Sequence, residues 1–188
     1  MKQAWTVHKF GGASLAGPWE FCRVADILAE NKAARQAVIV SASYGVTDRL
    51  LRLLETAVNS PDALTKQLDS LRSHHETLAA AVLSEEAAAA YTRDLDTDLA
   101  TVSSVLEAIR LLRSAPSEAA SLVSGFGEVW SARLLSALLN ERNIASRWLH
   151  AGEVLTIQTA ELGPVVDWET SSARLGERVD PGNLGMGG

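Results

Sequence analysis

Cysteine occurs once, at Cys22. No disulfide can close within the chain, which fits a reducing, cytoplasmic setting. A basic excess is also missing. The formal net charge is -6, so nothing draws the whole chain toward nucleic acid or an anionic membrane, and neither is expected as a partner. Uninterrupted apolar runs fall far short of the roughly 20 residues of a membrane span. The opening stretch, MKQAWTVHKF, has neither the apolar core nor the small-residue cleavage site of a signal peptide. Several chemistries lack their residues. No Walker A or G-x-G-x-x-G spacing occurs. The acidic stretch Asp94-Leu95-Asp96-Thr97-Asp98 opens like a calcium loop, but Leu99 and Val105 stand where a glycine and a bidentate glutamate are needed; it reads as a solvated helix start. His74-His75-Glu76 lacks the i, i+4 histidine pair of a zinc helix. No metal site and no Ser-His-Asp or Cys-His arrangement is expected.

What the chain does have is a core. It is 47% hydrophobic over 188 residues, enough for one domain on a prior of roughly 150 residues each. Residues 4–10 read as a strand. Gly17 and Pro18 then open a helix whose apolar face carries Phe21, Val24, Ala25 and Leu28. AVIV at 37–40 reads as a buried strand. Thr47 can cap a following helix bearing Leu50, Leu51, Leu54 and Val58. Strand, helix, strand, helix predicts an α/β fold with a parallel sheet. Residues from about 61 to 112 predict a helical hairpin, through Leu64, Leu68, Leu71, His75, Leu78 and Val82, then Leu95, Leu99, Val102, Leu106 and Ile109. SAPSE (114–118) reads as a turn, a helix is expected from about Gly127 to Arg142, and ASRWL (145–149) could be a strand. After Val166 the signal fades. Residues 171–188, closing on GNLGMGG, read as a flexible tail.

Three motifs could carry chemistry. Lys9-Phe10-Gly11-Gly12 lies between the first strand and helix. Glycines let backbone N–H groups face an anion, and a lysine can follow a phosphoryl group as charge develops. A tight turn with an exposed lysine would leave the same pattern. Ser41–Thr47 lies at the second strand-to-helix turn, on the sheet edge where ligands bind. Hydroxyls at 41, 43 and 47 could hold a polar substrate, or Thr47 could merely cap. Gly125-Phe126-Gly127-Glu128 is expected to open a helix. Glu128 then either complements the helix dipole or aims at a substrate ammonium.

In this order, KFGGAS (9–14), VSASYGVT (40–47) and GFGEVWSARLLSALL (125–139) resemble the aspartokinase branch of the amino-acid kinase family. The likeness is greatest to the aspartokinase half of bifunctional aspartokinase/homoserine dehydrogenases of the methionine-pathway type, and spans about residues 5–170. The resemblance implies a three-layer α/β/α kinase domain, ATP with Mg2+, and phosphorylation of L-aspartate to 4-phospho-L-aspartate. By position, Lys9 would stabilise the transferring phosphoryl group, Gly11, Gly12 and Ser14 would line the phosphate path, and Ser41, Thr47 and Glu128 would hold aspartate. A homo-oligomer is expected. Ala13 replaces the usual threonine after the glycine pair. LGMGG (184–188) only echoes an LGRGG segment, and the adenine-binding half does not follow. The expectation is therefore an N-terminal, truncated aspartokinase, inactive alone. A non-catalytic oligomerising remnant and a kinase for glutamate, acetylglutamate or UMP are the competing readings.

Overall fold

The computed structural model describes residues 5–33, 35–160 and 163–179. It divides into two compact units, residues 1–147 and 148–188.

In the first unit, β1 (Trp5–Phe10) pairs in parallel with β2 (Arg35–Val40), with Val7 opposite Ala37 and Lys9 opposite Ile39. Helix α1 (Pro18–Glu30) makes the crossover, and α2 (Val46–Asn59) leaves the C-terminal end of β2. The expected parallel α/β arrangement is present. Burial alternates along β1: Val7 and Lys9 face outward while His8 and Phe10 are half-buried. Ile39 is also on the outward face and is 54% exposed. The reading of AVIV as a fully buried strand is thus corrected, because only one face of this two-stranded sheet is covered among the described residues.

Helices α3 (Leu64–Val82) and α4 (Glu85–Leu112) form the expected hairpin. Its turn falls at Leu83-Ser84, where Ser84 accepts from the Ala87 N–H as an N-cap. Helix α5 (Ser117–Glu141) packs against α2, α4 and α1. It is long and apolar enough by composition to span a membrane, with mean hydropathy 1.2. Val123, Trp130, Leu134, Leu135 and Leu138 are nevertheless buried in the unit's core with Phe21, Leu50, Leu53, Leu71, Leu95 and Leu106. Hydrophobic burial at about 25 cal/mol per Å2 makes this contiguous core the main stabilising contribution.

Four expectations change. Helix α5 begins ten residues before Gly127. The two glycines argue against helix by propensity, but tertiary packing overrides that weak preference. The acidic stretch 94–98 lies inside α4, not at a helix start. ASRWL forms no strand. Residues 171–179 of the expected tail belong to α7, and GNLGMGG lies outside the described residues.

In the second unit, α6 (Ala151–Val154) precedes the antiparallel pair β3 (Ile157–Ala160) and β4 (Gly163–Val166), then α7 (Trp168–Val179). Asp167 accepts from the Thr170 N–H at 3.0 Å and its hydroxyl at 2.8 Å, which fixes the start of α7. Ser171 alone is buried along α7, which is why apolar periodicity does not reveal it.

Candidate active site

The cluster begins with Gly12. This residue opens a short 3-10 turn, Gly12–Leu15, directly after β1. A Cβ on Gly12 would lie 3.0 Å from the carbonyl oxygen of Ala42 and 3.8 Å from the Tyr44 backbone. The first motif therefore rests against the second, with almost no space between backbones. Two hydrogen bonds hold this approach. The Ser41 N–H donates to the Phe10 carbonyl at 3.0 Å, extending the ladder past the sheet edge. The Ser43 hydroxyl donates to the Leu15 carbonyl. Ser43 is 2% exposed, so its hydroxyl supports the loop and is withdrawn from the set that could meet a substrate.

Ala42 also meets the third motif. A Cβ on Gly127 would stand 2.7 Å from the Ala42 Cβ and 3.3 Å from Val46 Cγ1. Real Cβ atoms do not approach that closely, so glycine at 127 is what lets α5 lie on the Ser41–Thr47 loop. Gly127 shares its buried helix face with Val123, Trp130, Ser131 and Leu134. Sequence reasoning missed this role, although the i, i+3, i+4, i+7 spacing of those residues was available to reveal it. The three motifs thus converge through Gly12, Ala42 and Gly127.

Around this contact stand the charged and hydroxyl groups. Lys9 is exposed on the open sheet face, and its Nζ lies 3.8 Å from the position of a Gly11 Cβ. The ammonium therefore sits beside Gly11. Ser14 is exposed, and its N–H donates to the Gly11 carbonyl at 2.9 Å. Thr47 is half-buried in the first turn of α2. It is not the cap: Gly45, at φ 76°, holds that position without a side-chain bond. Such a left-handed residue favours glycine. Glu128 follows Gly127 and is exposed. It sits in the interior of α5, so its expected place in a first turn, stabilised by the helix dipole, is corrected. Neither Lys9 nor Glu128 forms an ion pair or hydrogen bond among the described residues.

The model of the amino acid kinase family matches residues 4–184. The chain belongs to the amino acid kinase family. It is 31% identical over 172 residues to the chloroplastic bifunctional aspartokinase/homoserine dehydrogenase of Daucus carota, covering 91% of this chain and 19% of that protein. It is 33% identical over 155 residues to bifunctional aspartokinase/homoserine dehydrogenase 2 of Escherichia coli, covering 82% of this chain and 18% of that one. The chain therefore spans about a fifth of the length of these curated relatives. Its fold is that of E. coli aspartokinase III. The complex of that enzyme with lysine and aspartate aligns at TM-score 0.79 and 24% identity, over 97% of this chain and 39% of the other. The complex with aspartate and ADP aligns at TM-score 0.80 and 22% identity, over 96% and 38%. The amino acid kinase fold expected from three ordered motifs is present.

Proposed function

We propose that this chain is the N-terminal part of an aspartokinase. A side-chain carboxylate oxygen of L-aspartate attacks the γ-phosphorus of ATP, the bond to the β–γ bridging oxygen breaks, and 4-phospho-L-aspartate and ADP result. The observation that carries this reading is the convergence of three motifs on Ala42, with Lys9 and Glu128 standing free around it. Phosphoryl transfer needs positioning and charge neutralisation more than a covalent nucleophile. An exposed ammonium beside Gly11 supplies a movable positive charge next to backbone that an anion can approach. In this proposal Lys9 meets the transferring group, and Gly11, Gly12 and Ser14 line the phosphate path. Ser41 and Thr47 hold the aspartate carboxylates, and Glu128 pairs with its ammonium. Aspartate and ADP in the aspartokinase III complex support the substrate pair. Among the described residues no cluster of acidic, histidine or cysteine side chains forms a metal site. Mg2+ is therefore proposed only as the companion of the ATP phosphates, and no step here depends on it. A cytoplasmic setting, a homo-oligomer and a place in amino-acid biosynthesis belong to the same proposal.

Two variants in an active form of the enzyme test the roles. Lys9→Ala should lower kcat by on the order of 10²–10³, because the lysine meets charge chiefly as the phosphoryl group moves. Glu128→Ala should raise KM for aspartate with kcat better preserved, because a contact to the substrate ammonium is the same in ground and transition states. An unchanged aspartate KM in Glu128→Ala would remove Glu128 from the pocket. Acyl phosphate trapped with hydroxylamine from glutamate, and not from aspartate, would overturn the substrate. The 188-residue polypeptide alone, matching 39% of aspartokinase III, should show little aspartate-dependent ADP release.

A further inference from the structure

Helices α2 and α3 leave a cavity of about 390 Å3 between them. It lies outside the three-motif cluster. Leu53 and Leu71, both buried, form its apolar floor, and Arg49, Arg52, Lys66 and Ser70 stand in its wall. No carboxylate joins them: Asp48, Glu55, Asp62 and Asp69 are near in sequence but absent from the lining. None of the three cations takes part in an ion pair among the described residues. Arg49 donates to the Ser70 hydroxyl at 3.0 Å. That neutral partner only orients its guanidinium.

Three positive charges around one cavity repel each other, and burying a charge without a partner is costly. Partial burial lowers the pKa of Arg49; a half-buried guanidinium with no counter-ion is placed to accept an anion. We propose that this cavity binds a small phosphorylated metabolite, its phosphoryl oxygens held by Arg49, Arg52 and Lys66 and its carbon skeleton lying on Leu53 and Leu71. A volume of this size falls in the range of small-molecule sites, about 300–1,000 Å3. A phosphate monoester carries roughly -1.5 to -2 charges near neutral pH, which answers three cations better than one carboxylate does. The arginine fork also matches phosphoryl oxygens two at a time. Arg49, Arg52 and Leu53 belong to α2, which begins at the Ser41–Thr47 loop, so occupancy of the cavity bears on the helix that carries Thr47.

Calorimetric titration of the full chain with inorganic pyrophosphate, at constant ionic strength, tests the site. Saturable binding is expected, weakened by roughly tenfold or more in Arg52→Gln/Lys66→Gln, since two charge-assisted contacts to the phosphoryl oxygens are lost. Both side chains are exposed, so the fold should survive, and circular dichroism checks that it does. Lys9→Gln, which lies outside the cavity lining, should leave unchanged the binding that the double variant weakens. Three results would overturn the proposal: no saturable heat at millimolar pyrophosphate, binding that Lys9→Gln abolishes and the double variant does not, or succinate binding as tightly as pyrophosphate.

Discussion

The sheet-edge cluster and the helical hairpin are held together by opposite means. At the cluster the contacts are made by the smallest groups in the chain: Gly12 on the Ala42 carbonyl and Gly127 on the Ala42 methyl. Charge there is left free, on Lys9 and Glu128. In the hairpin the contacts are made by large side chains, and charge is consumed internally. Asp98 on α4 accepts the Trp130 indole N–H at 2.9 Å and pairs with Arg133, both on α5. Arg72 pairs with Asp96 and Glu76. His75 Nδ1 lies 3.0 Å from the Tyr91 hydroxyl, and its ring stands edge-on to Trp130 at 4.8 Å. Helix α5 belongs to both regions, with Gly127 three residues and Glu128 two residues before Trp130. The difference separates residues that build from residues that remain available for chemistry.

If the hairpin depends on consumed charge, Asp98→Ala should show the larger loss of stability. It leaves the Trp130 N–H without its acceptor in a buried position and removes the carboxylate that Arg133 meets. The expected cost is about 2–3 kcal/mol, read by urea unfolding. Asp98→Asn keeps an acceptor and should cost less. Equal losses in the two variants would mean that charge is irrelevant there.

The cluster should instead be sensitive to single carbon atoms. Gly127→Ala adds a methyl 2.7 Å from the Ala42 Cβ. Its overpacking cost, about 1–3 kcal/mol, outweighs the roughly 1 kcal/mol that alanine contributes within a helix. Ala42→Gly should recover much of the loss in the double variant. A coupling of about 1 kcal/mol in the double-mutant cycle is expected, and additive effects would show that the two residues do not touch.

The hairpin and the βαβ start were legible because both follow apolar periodicity: Leu64 to Val82 and Leu95 to Ile109 for the helices, short β-branched runs for the strands. The motif order carried the fold further than any single motif. Gly127 was misplaced because propensity treats a glycine as a helix end, while its function is to admit the Ala42 methyl. Asp98 reads as solvated because the acidic stretch fails the calcium-loop pattern, and its neighbours Asp94 and Asp96 are in fact exposed. Only three dimensions bring Trp130 and Arg133 to it, from 32 and 35 residues away. Helix α7 escaped notice because its boundary depends on Asp167 and Ser171, which are polar.

The last effect is spread over several pH units, and it concerns the hairpin alone. His75 is 1% exposed. Burial chiefly, then the neighbouring His74 and Arg49, lowers its pKa from the ordinary 6.5 to about 3. The groups facing it are His74 on its own helix, Arg49 on α2, Tyr91 on α4 and Trp130 on α5. None is an anion that could welcome a proton. Between pH 6.5 and 3 the unfolded chain binds a proton at His75 that the folded chain refuses. Stability therefore rises with pH through this window, is complete above about 6.5, and falls as the solution is acidified. The slope from one such group reaches at most about 1.4 kcal/mol per pH unit. His74, also lowered by burial and by Arg49, adds a contribution of the same sign. Above about pH 5 ordinary carboxylates remain ionised in both states, so the upper part of the window reports histidine. Urea midpoints measured there should flatten in His75→Phe/Tyr91→Phe, a pair that also avoids orphaning the tyrosine hydroxyl. An unchanged slope in that variant would place the acid sensitivity elsewhere in the molecule and remove His75 from the list of groups on which the hairpin depends.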